Sequence, residues 1–297
     1  MISHPITGGG SMKTGFIGAG KAGCSLSRYL AGSQTTICGF YSKTPEHSRQ
    51  AADYTKSAVF FNLEEVVQES DMIFVTTPDS VIEQVWEGIK HLEDKGSVGL
   101  KGKIFCHVSG SLSSQIFSGA KVRGVFVCAA HPMQAISSKD TDLTGAFFTL
   151  DGDDQAVGLV KGMLEKKGNP TAVIAPASKK KYHMAASCAS NLVAGLAQIA
   201  VDALTDCGFS QEGALSMLTP LMLGNMKNIC EKGPMEALTG PVERCDCNTV
   251  KAHIDQLNGE EQTIYRLLSL RLIQIAQKKN PTRDYSKLKL ILEEKDQ

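Results

Sequence analysis

The residues most able to do chemistry fall into four groups. The first is Gly18-Ala19-Gly20-Lys21-Ala22-Gly23, which follows the apolar run Thr14-Gly15-Phe16-Ile17 and precedes a helical pattern (Ser25, Leu26, Tyr29, Leu30). Strand, glycines and helix in that order form a seat for a dinucleotide. The first glycine turns the chain off the strand, the second lets backbone approach a pyrophosphate, and the third lets the helix pack close. The helix N-terminus adds free N–H groups and a partial positive charge. The second group is His183, Ser187, Ser190, Asn191 and Ala194, at offsets of 4, 7, 8 and 11. At about 100° per residue these share one face of a helix. On a helix otherwise rich in Ala, Leu, Val and Ile, they are either satisfied core hydrogen bonds or the polar wall of a cleft, and beside a dinucleotide site we read a cleft wall. The third group ends strands: Ser109-Gly110-Ser111, suited to close approach of a nicotinamide or carboxylate, and His131, just before Pro132. The fourth is the loop Ala237 to Asp246, which is either a plain turn before a capped helix or a way to bring Arg244 to a substrate carboxylate.

Together these residues suggest hydride transfer to a small carbonyl compound. His183 is the first choice of proton donor, because histidine's ordinary pKa of about 6.5 suits donation near neutrality. Asn191 and Ser187 orient the substrate, Ser109 contacts nicotinamide or carboxylate, and Arg244 holds a carboxylate. His131 and Lys181 are the alternative donors. Lys179, Lys180 and Lys181 otherwise read as a charge run that is mostly solvated.

The elements that must position these groups alternate. Strands are expected at Thr35 to Tyr41, Ala58 to Phe61, Met72 to Thr76, Lys103 to Val108, Val125 to Ala130, Ala146 to Leu150 and Thr171 to Ile174, with helices between them. This pattern specifies a mostly parallel, doubly wound Rossmann sheet. An Asp or Glu ends the second strand of many NAD-binding folds and holds the ribose hydroxyls. Here the chain reads Tyr41-Ser42-Lys43-Thr44, with Arg49 nearby, so NADP is favoured over NAD. Thr77 and Pro78 end another strand at the carboxyl edge and are cofactor-contact candidates, while Asp79 reads as a helix cap. From Pro176 the pattern turns helical, with one long helix expected over 178–206 and shorter ones to about residue 277. The expected organisation is a dinucleotide-binding domain over 12–175 and an all-helical domain over 176–297. Residues 1–11 read as a leader with a flexible linker ahead of Met12, and the last residues, from Ile291, as fraying.

Composition narrows the class. The chain has 297 residues with 31 basic and 31 acidic side chains, a balance that disfavours nucleic acid or an anionic membrane as the main partner. No apolar run is read as a membrane span. The nine cysteines show no CxxC and no metal-ligand spacing, so they read as reduced cytoplasmic thiols, and no metal is expected.

Over nearly all of Met12 to Leu292 the chain resembles the family built of a Rossmann-like domain followed by a DUF2520 domain. The features that carry the resemblance are Gly18 to Gly23, Thr77-Pro78-Asp79, His107-Val108-Ser109-Gly110, His131-Pro132-Met133-Gln134, Tyr182-His183 with Ser190-Asn191, and Leu238-Thr239-Gly240-Pro241 with Arg244 and Asp246. That family is similar to pyrroline-5-carboxylate reductases, 6-phosphogluconate dehydrogenases and ketopantoate reductases. The resemblance implies an NADP-binding domain, a helical dimerisation domain like the C-terminal domain of 6-phosphogluconate dehydrogenase, a homodimer, and an active site in the cleft between domains. It also implies reduction of 2-dehydropantoate for some members, with imine reduction, as in the pyrroline-5-carboxylate relatives, the alternative; a third reading, from a different class, is a non-catalytic NADP-binding sensor of cofactor redox state. The Lys-x-x-x-Asn pattern of hydroxyacid dehydrogenases is absent in that form, since Lys181 and Asn191 are too far apart. His183 occupies a comparable helix start.

Overall fold

A computed structural model describes residues 11–32 and 34–294. Residues 1–10 of the expected leader lie outside the described residues. The first half is an eight-stranded sheet: β1 Met12–Ile17, β2 Thr35–Tyr41, β3 Ala58–Val59, β4 Met72–Val75, β5 Ile104–His107, β6 Phe126–Pro132, β7 Phe148–Gly152 and β8 Thr171–Val173. Their spatial order is β3-β2-β1-β4-β5-β6-β7-β8. All neighbours are parallel except β6 and β7. The order reverses direction between β1 and β4, which is where doubly wound sheets bind ligands at their carboxyl edge.

The period of two along each strand builds both sheet faces. Phe16 pairs in register with Phe40 on one side and Phe74 on the other, and the rings stack at 5.1 and 5.5 Å. On the opposite face Trp86 meets Phe105 and Phe117 edge-on at 5.1 and 5.6 Å. The indole N–H of Trp86 donates to the Ser118 carbonyl at 2.8 Å, so its one polar atom is satisfied inside the core. Helices α1 Lys21–Leu30, α2 Pro45–Thr55, α3 Leu63–Glu69, α4 Asp79–Asp94 and α5 Asp154–Glu165 cover these faces. The sheet and its alternation are those expected. β6 runs further than expected, to Pro132, so His131 lies on the strand and pairs with Thr149 of antiparallel β7.

The helical half departs more from expectation. The single helix expected over 178–206 is two, α6 Lys179–Ala189 and α7 Asn191–Asp206, broken at Ser190 (φ −131°, ψ −82°). The backbone divides into two compact units at that break, one ending at Ser190 and the other beginning at Asn191. Thus α6 groups with the sheet. α8 spans Gln211–Ala237 as two helical segments: a first that runs through Pro220, and a short last piece that starts at Pro234 beyond a kink at Gly233 (φ 80°, ψ 161°), where the sequence expects a break. α9 Cys247–Ile254 and α10 Gly259–Lys279 follow. A last helix, α11 Ser286–Glu293, is one the sequence does not predict; its end overlaps the stretch from Ile291 expected to fray, of which 295–297 lie outside the described residues. Its Leu288 and Leu292 are buried with Val250, Ile254, Ile273 and Tyr285. The Tyr285 hydroxyl donates to the Glu243 carbonyl at 2.6 Å and fixes the start of α11. The stretch Pro176–Asp206 has a window of mean hydropathy 1.5, enough to cross a membrane by length and composition only, which differs from the expectation that no apolar run is a span.

Candidate active site

The glycine-rich turn fits a dinucleotide for distinct steric reasons. Gly18 has φ +110°, and a Cβ there would lie 2.7 Å from the Thr76 carbonyl carbon. A Cβ on Gly23 would lie 2.5 Å from the Gly18 carbonyl oxygen and 2.7 Å from Thr76 Oγ1. That hydroxyl itself donates to the Gly18 carbonyl at 2.8 Å. A Cβ on Gly20 would meet nothing within 4 Å, so the second glycine faces open space, where a pyrophosphate would need it to. α1 starts at Lys21 with Gly20 as its cap, leaving the N–H groups of Lys21, Ala22 and Gly23 without helical acceptors. Ala19 is buried just before this turn. One strand over, β2 ends in register at Tyr41, followed by Ser42 and exposed Lys43. Arg49 pairs instead with Glu46 at 3.6 Å on the surface of α2. On the other side of β1, Thr77 follows β4 with its hydroxyl buried and unpartnered, an orphan donor beside the glycine turn. Pro78 caps α4.

Asp79 does not cap α4. No side-chain cap bond is made there. Its Oδ2 instead accepts from Ser109 Oγ at 2.8 Å and Ser111 Oγ at 2.7 Å. Ser109 Oγ also accepts the N–H groups of Ser111 and Leu112 at 3.2 and 3.0 Å. The hydroxyl expected to touch nicotinamide is therefore committed to holding its own loop. Ser109 is 6% exposed, so what this loop offers a ligand is Gly110.

Two rings converge on Gly110. The position its Cβ would take lies 2.6 Å from His183 Cδ2 and 2.8 Å from His131 Nε2, so only glycine fits. His131 Nδ1 is 2.8 Å from the Tyr182 hydroxyl, with the rings perpendicular at 5.5 Å. His131 and His183 stand 6.1 Å apart, also edge to face. Burial, then the charge of Lys179, pushes His131 down to about 4, so its ring is neutral at neutral pH. Burial raises the Tyr182 phenol, which stays protonated. In the tautomer where Tyr182 donates to Nδ1, the proton of the neutral ring sits on Nε2, facing Gly110.

Sequence reasoning located His131 and His183 but missed the pairing of His131 with Tyr182. It also read all three lysines of the run as mostly solvated. Lys180 and Lys181 are exposed, whereas Lys179 is 1% exposed. Its Nζ donates to the Ser109 carbonyl at 3.1 Å and lies 3.5 Å from Asp151 Oδ2. The polar stripe is likewise split: His183 and Ser187 lie on α6, while Asn191 starts α7 in the helical unit. Arg244 is exposed in that unit, in a loop closed by Asp246 N–H to the Pro241 carbonyl at 2.8 Å. Asp246 then caps α9 by accepting from Thr249 N–H at 3.1 Å. His107, read as core, is fully buried, and its Nδ1 accepts from Ser109 N–H at 3.1 Å.

Comparison with known proteins bears on the domains and the fold. Residues 13–99 match the family described as NADP oxidoreductase coenzyme F420-dependent, and residues 146–272 match the domain of unknown function DUF2520. No curated protein matches the chain. Among solved structures, the protein TM1727 from Thermotoga maritima is similar at 26% identity and TM-score 0.68, covering 89% of this chain and 98% of that one. An imine reductase from Pseudomonas sp. is similar at 16% identity and TM-score 0.64, covering 90% and 98%. The Plasmodium falciparum pyrroline carboxylate reductase, solved with NADP bound, is similar at 14% identity and TM-score 0.56, covering 92% and 99%.

Proposed function

We propose that this chain, an NADP-dependent oxidoreductase with a Rossmann domain ahead of a DUF2520 domain, reduces a small 2-oxo acid, with 2-dehydropantoate the first choice. The observation that carries this reading is the convergence of His131 and His183 on Gly110, with Tyr182 bonded to His131. Gly110 follows β5 and His131 is the next-to-last residue of β6, at the carboxyl edge of the sheet that also carries the glycine turn. NADPH, when bound, supplies the hydride. Gly20, the first N–H groups of α1, and Ser42 with Lys43 would hold its phosphates, and the Thr77 hydroxyl is a free donor beside them. His183, the exposed ring of the cluster, gives a proton to the developing alkoxide. His131, neutral and backed by Tyr182, donates a hydrogen bond to the same oxygen. Arg244 is an exposed planar cation of the helical unit, suited to two parallel hydrogen bonds with a carboxylate.

A second reading is reduction of a cyclic imine, favoured by the likeness to the imine and pyrroline carboxylate reductases. A protonated imine brings its own proton, so His183 would matter less. NADPH oxidation, followed by absorbance against 2-dehydropantoate, other 2-oxo acids and cyclic imines with NADH in parallel, separates these readings. We expect turnover on 2-dehydropantoate with NADPH preferred. Turnover confined to imines moves the assignment to the second reading. NADPH binding without turnover on any member of the panel removes both and leaves a cofactor sensor.

The same proposal includes a homodimer in the reducing cytoplasm. All nine cysteines are free thiols. In the helical unit, Leu192, Leu196, Leu215, Leu221, Leu223 and Leu267 are 43 to 69% exposed, an apolar display of the kind that marks an association surface. Light scattering should give twice the chain mass of 31.8 kDa; a monomer at micromolar concentration removes this part of the proposal.

A further inference from the structure

Lys179 is the only lysine among the fully buried large side chains of the described residues, and a buried ammonium is retained only where partners hold it. Its partners come from different elements. The Ser109 carbonyl belongs to the loop after β5, and Asp151 belongs to β7. Asp151 is itself 1% exposed and accepts the Ser114 N–H through Oδ1 at 2.8 Å. The segment from Ser109 to Ser114 is thus held at its start by Asp79, through Ser109 and Ser111, and at its end by Asp151. Lys179 is the first residue of α6, and Tyr182 and His183 follow one turn later on the same helix. Lys179 Nζ also lies 6.0 Å from the centre of the Tyr182 ring.

We propose that Lys179 is a positioning residue: its buried ammonium, held between Asp151 and the Ser109 carbonyl, ties the first turn of α6 to the Ser109–Gly110 loop and so sets Tyr182 and His183 against His131. The inference rests on the reductase reading for its kinetic consequence, but not for its structural one. A helix can slide against a loop where only side chains pack. A charged tether to a backbone carbonyl fixes its register, and catalysis depends on register at the level of about 1 Å. Lys179 also acts on His131 through charge. The groups that face His131 are Lys179, Tyr182 and His183 from α6, Asp79 from α4 and His107 from β5. Of these, Lys179 is the largest single charge opposing protonation of His131, after burial itself.

The test uses the full-length chain with Lys179→Met, Lys179→Arg and Asp151→Asn. NADPH affinity is read by fluorescence, kcat and KM with the best substrate of the panel, and the His131 ring titration by NMR. We expect Lys179→Met to lower kcat about 10-fold or more with NADPH affinity unchanged. The His131 midpoint should rise toward the ordinary histidine value, because a neighbouring cation has been removed. Lys179→Arg should keep the His131 midpoint and recover part of kcat. A folded Lys179→Met with wild-type kcat and a wild-type His131 midpoint overturns the proposal. If Lys179→Met does not fold, Asp151→Asn decides: it keeps the shape but removes the charge that holds the ammonium, so a folded Asp151→Asn with wild-type kcat overturns it equally. If the wild-type chain turns over nothing, the reductase reading falls and the His131 titration alone judges Lys179.

Discussion

Replacing His183 with alanine should lower kcat for 2-dehydropantoate by about 10²-fold or more, with NADPH affinity held within about twofold. The expectation follows from where the ring stands. His183 is exposed, lies against Gly110, and sits 6.1 Å from a histidine that is neutral at working pH. A neutral His131 donates a hydrogen bond but is a poor source of a full proton, since protonating it requires pH near 4. Its titration should therefore leave no mark on the rate between pH 6 and 8. Tyr182→Phe is the companion variant. It removes the hydroxyl that fixes the tautomer of His131 and should lower kcat by about tenfold, a smaller loss than the His183 variant. If His183→Ala loses less than tenfold while Tyr182→Phe loses more, the donor is the Tyr182–His131 pair. If neither loss appears, Lys181 inherits the role. Measured on a cyclic imine, the His183 loss should shrink, because the substrate then brings its own proton.

Much of this site is legible from the sequence because local signals carry it. A strand running into glycines and then a helix has one low-energy arrangement, and β1, α1 and β2 follow that pattern closely. His131 is readable for the same reason, as a polar residue closing an apolar strand. Three features lack any local signal. Lys179 stands in a run of three lysines that looks solvated. Only the docking of the α6 start against β7 and the Ser109 loop turns the first of them inward. Asp79 sits where a cap is expected, and two serine hydroxyls 30 and 32 residues away claim it instead. The break at Ser190 occurs in a stretch with no Pro or Gly at the break, so helix propensity runs straight through it. Each feature is fixed by partners distant in sequence, and this is tertiary structure overriding local preference.

The glycine turn permits the sharpest separation of cofactor binding from folding, because two of its glycines face opposite surroundings. A methyl at Gly23 would press into the Gly18 carbonyl and the Thr76 hydroxyl. Neither can retreat: the carbonyl belongs to the turn, and the hydroxyl is bonded to it at 2.8 Å. Gly23→Ala should therefore push α1 off the sheet, cost about 1–3 kcal/mol of stability and lower the melting temperature. A methyl at Gly20 meets nothing within 4 Å. Gly20→Ala should leave the melting temperature of the free protein close to wild type. If the space beside Gly20 is where the pyrophosphate lies, the same substitution should weaken NADPH binding by about tenfold or more, since the lost approach removes charge-assisted backbone hydrogen bonds. Thermal melts with and without saturating NADPH read both effects at once. Bound cofactor should raise the wild-type midpoint, raise that of Gly20→Ala far less, and act on Gly23→Ala from a lower baseline. Equal stabilisation of wild type and Gly20→Ala by NADPH would place the phosphates away from Gly20. The N-terminus of α1 would then no longer be their seat, because Gly20 caps the helix whose free N–H groups make the turn an anion site.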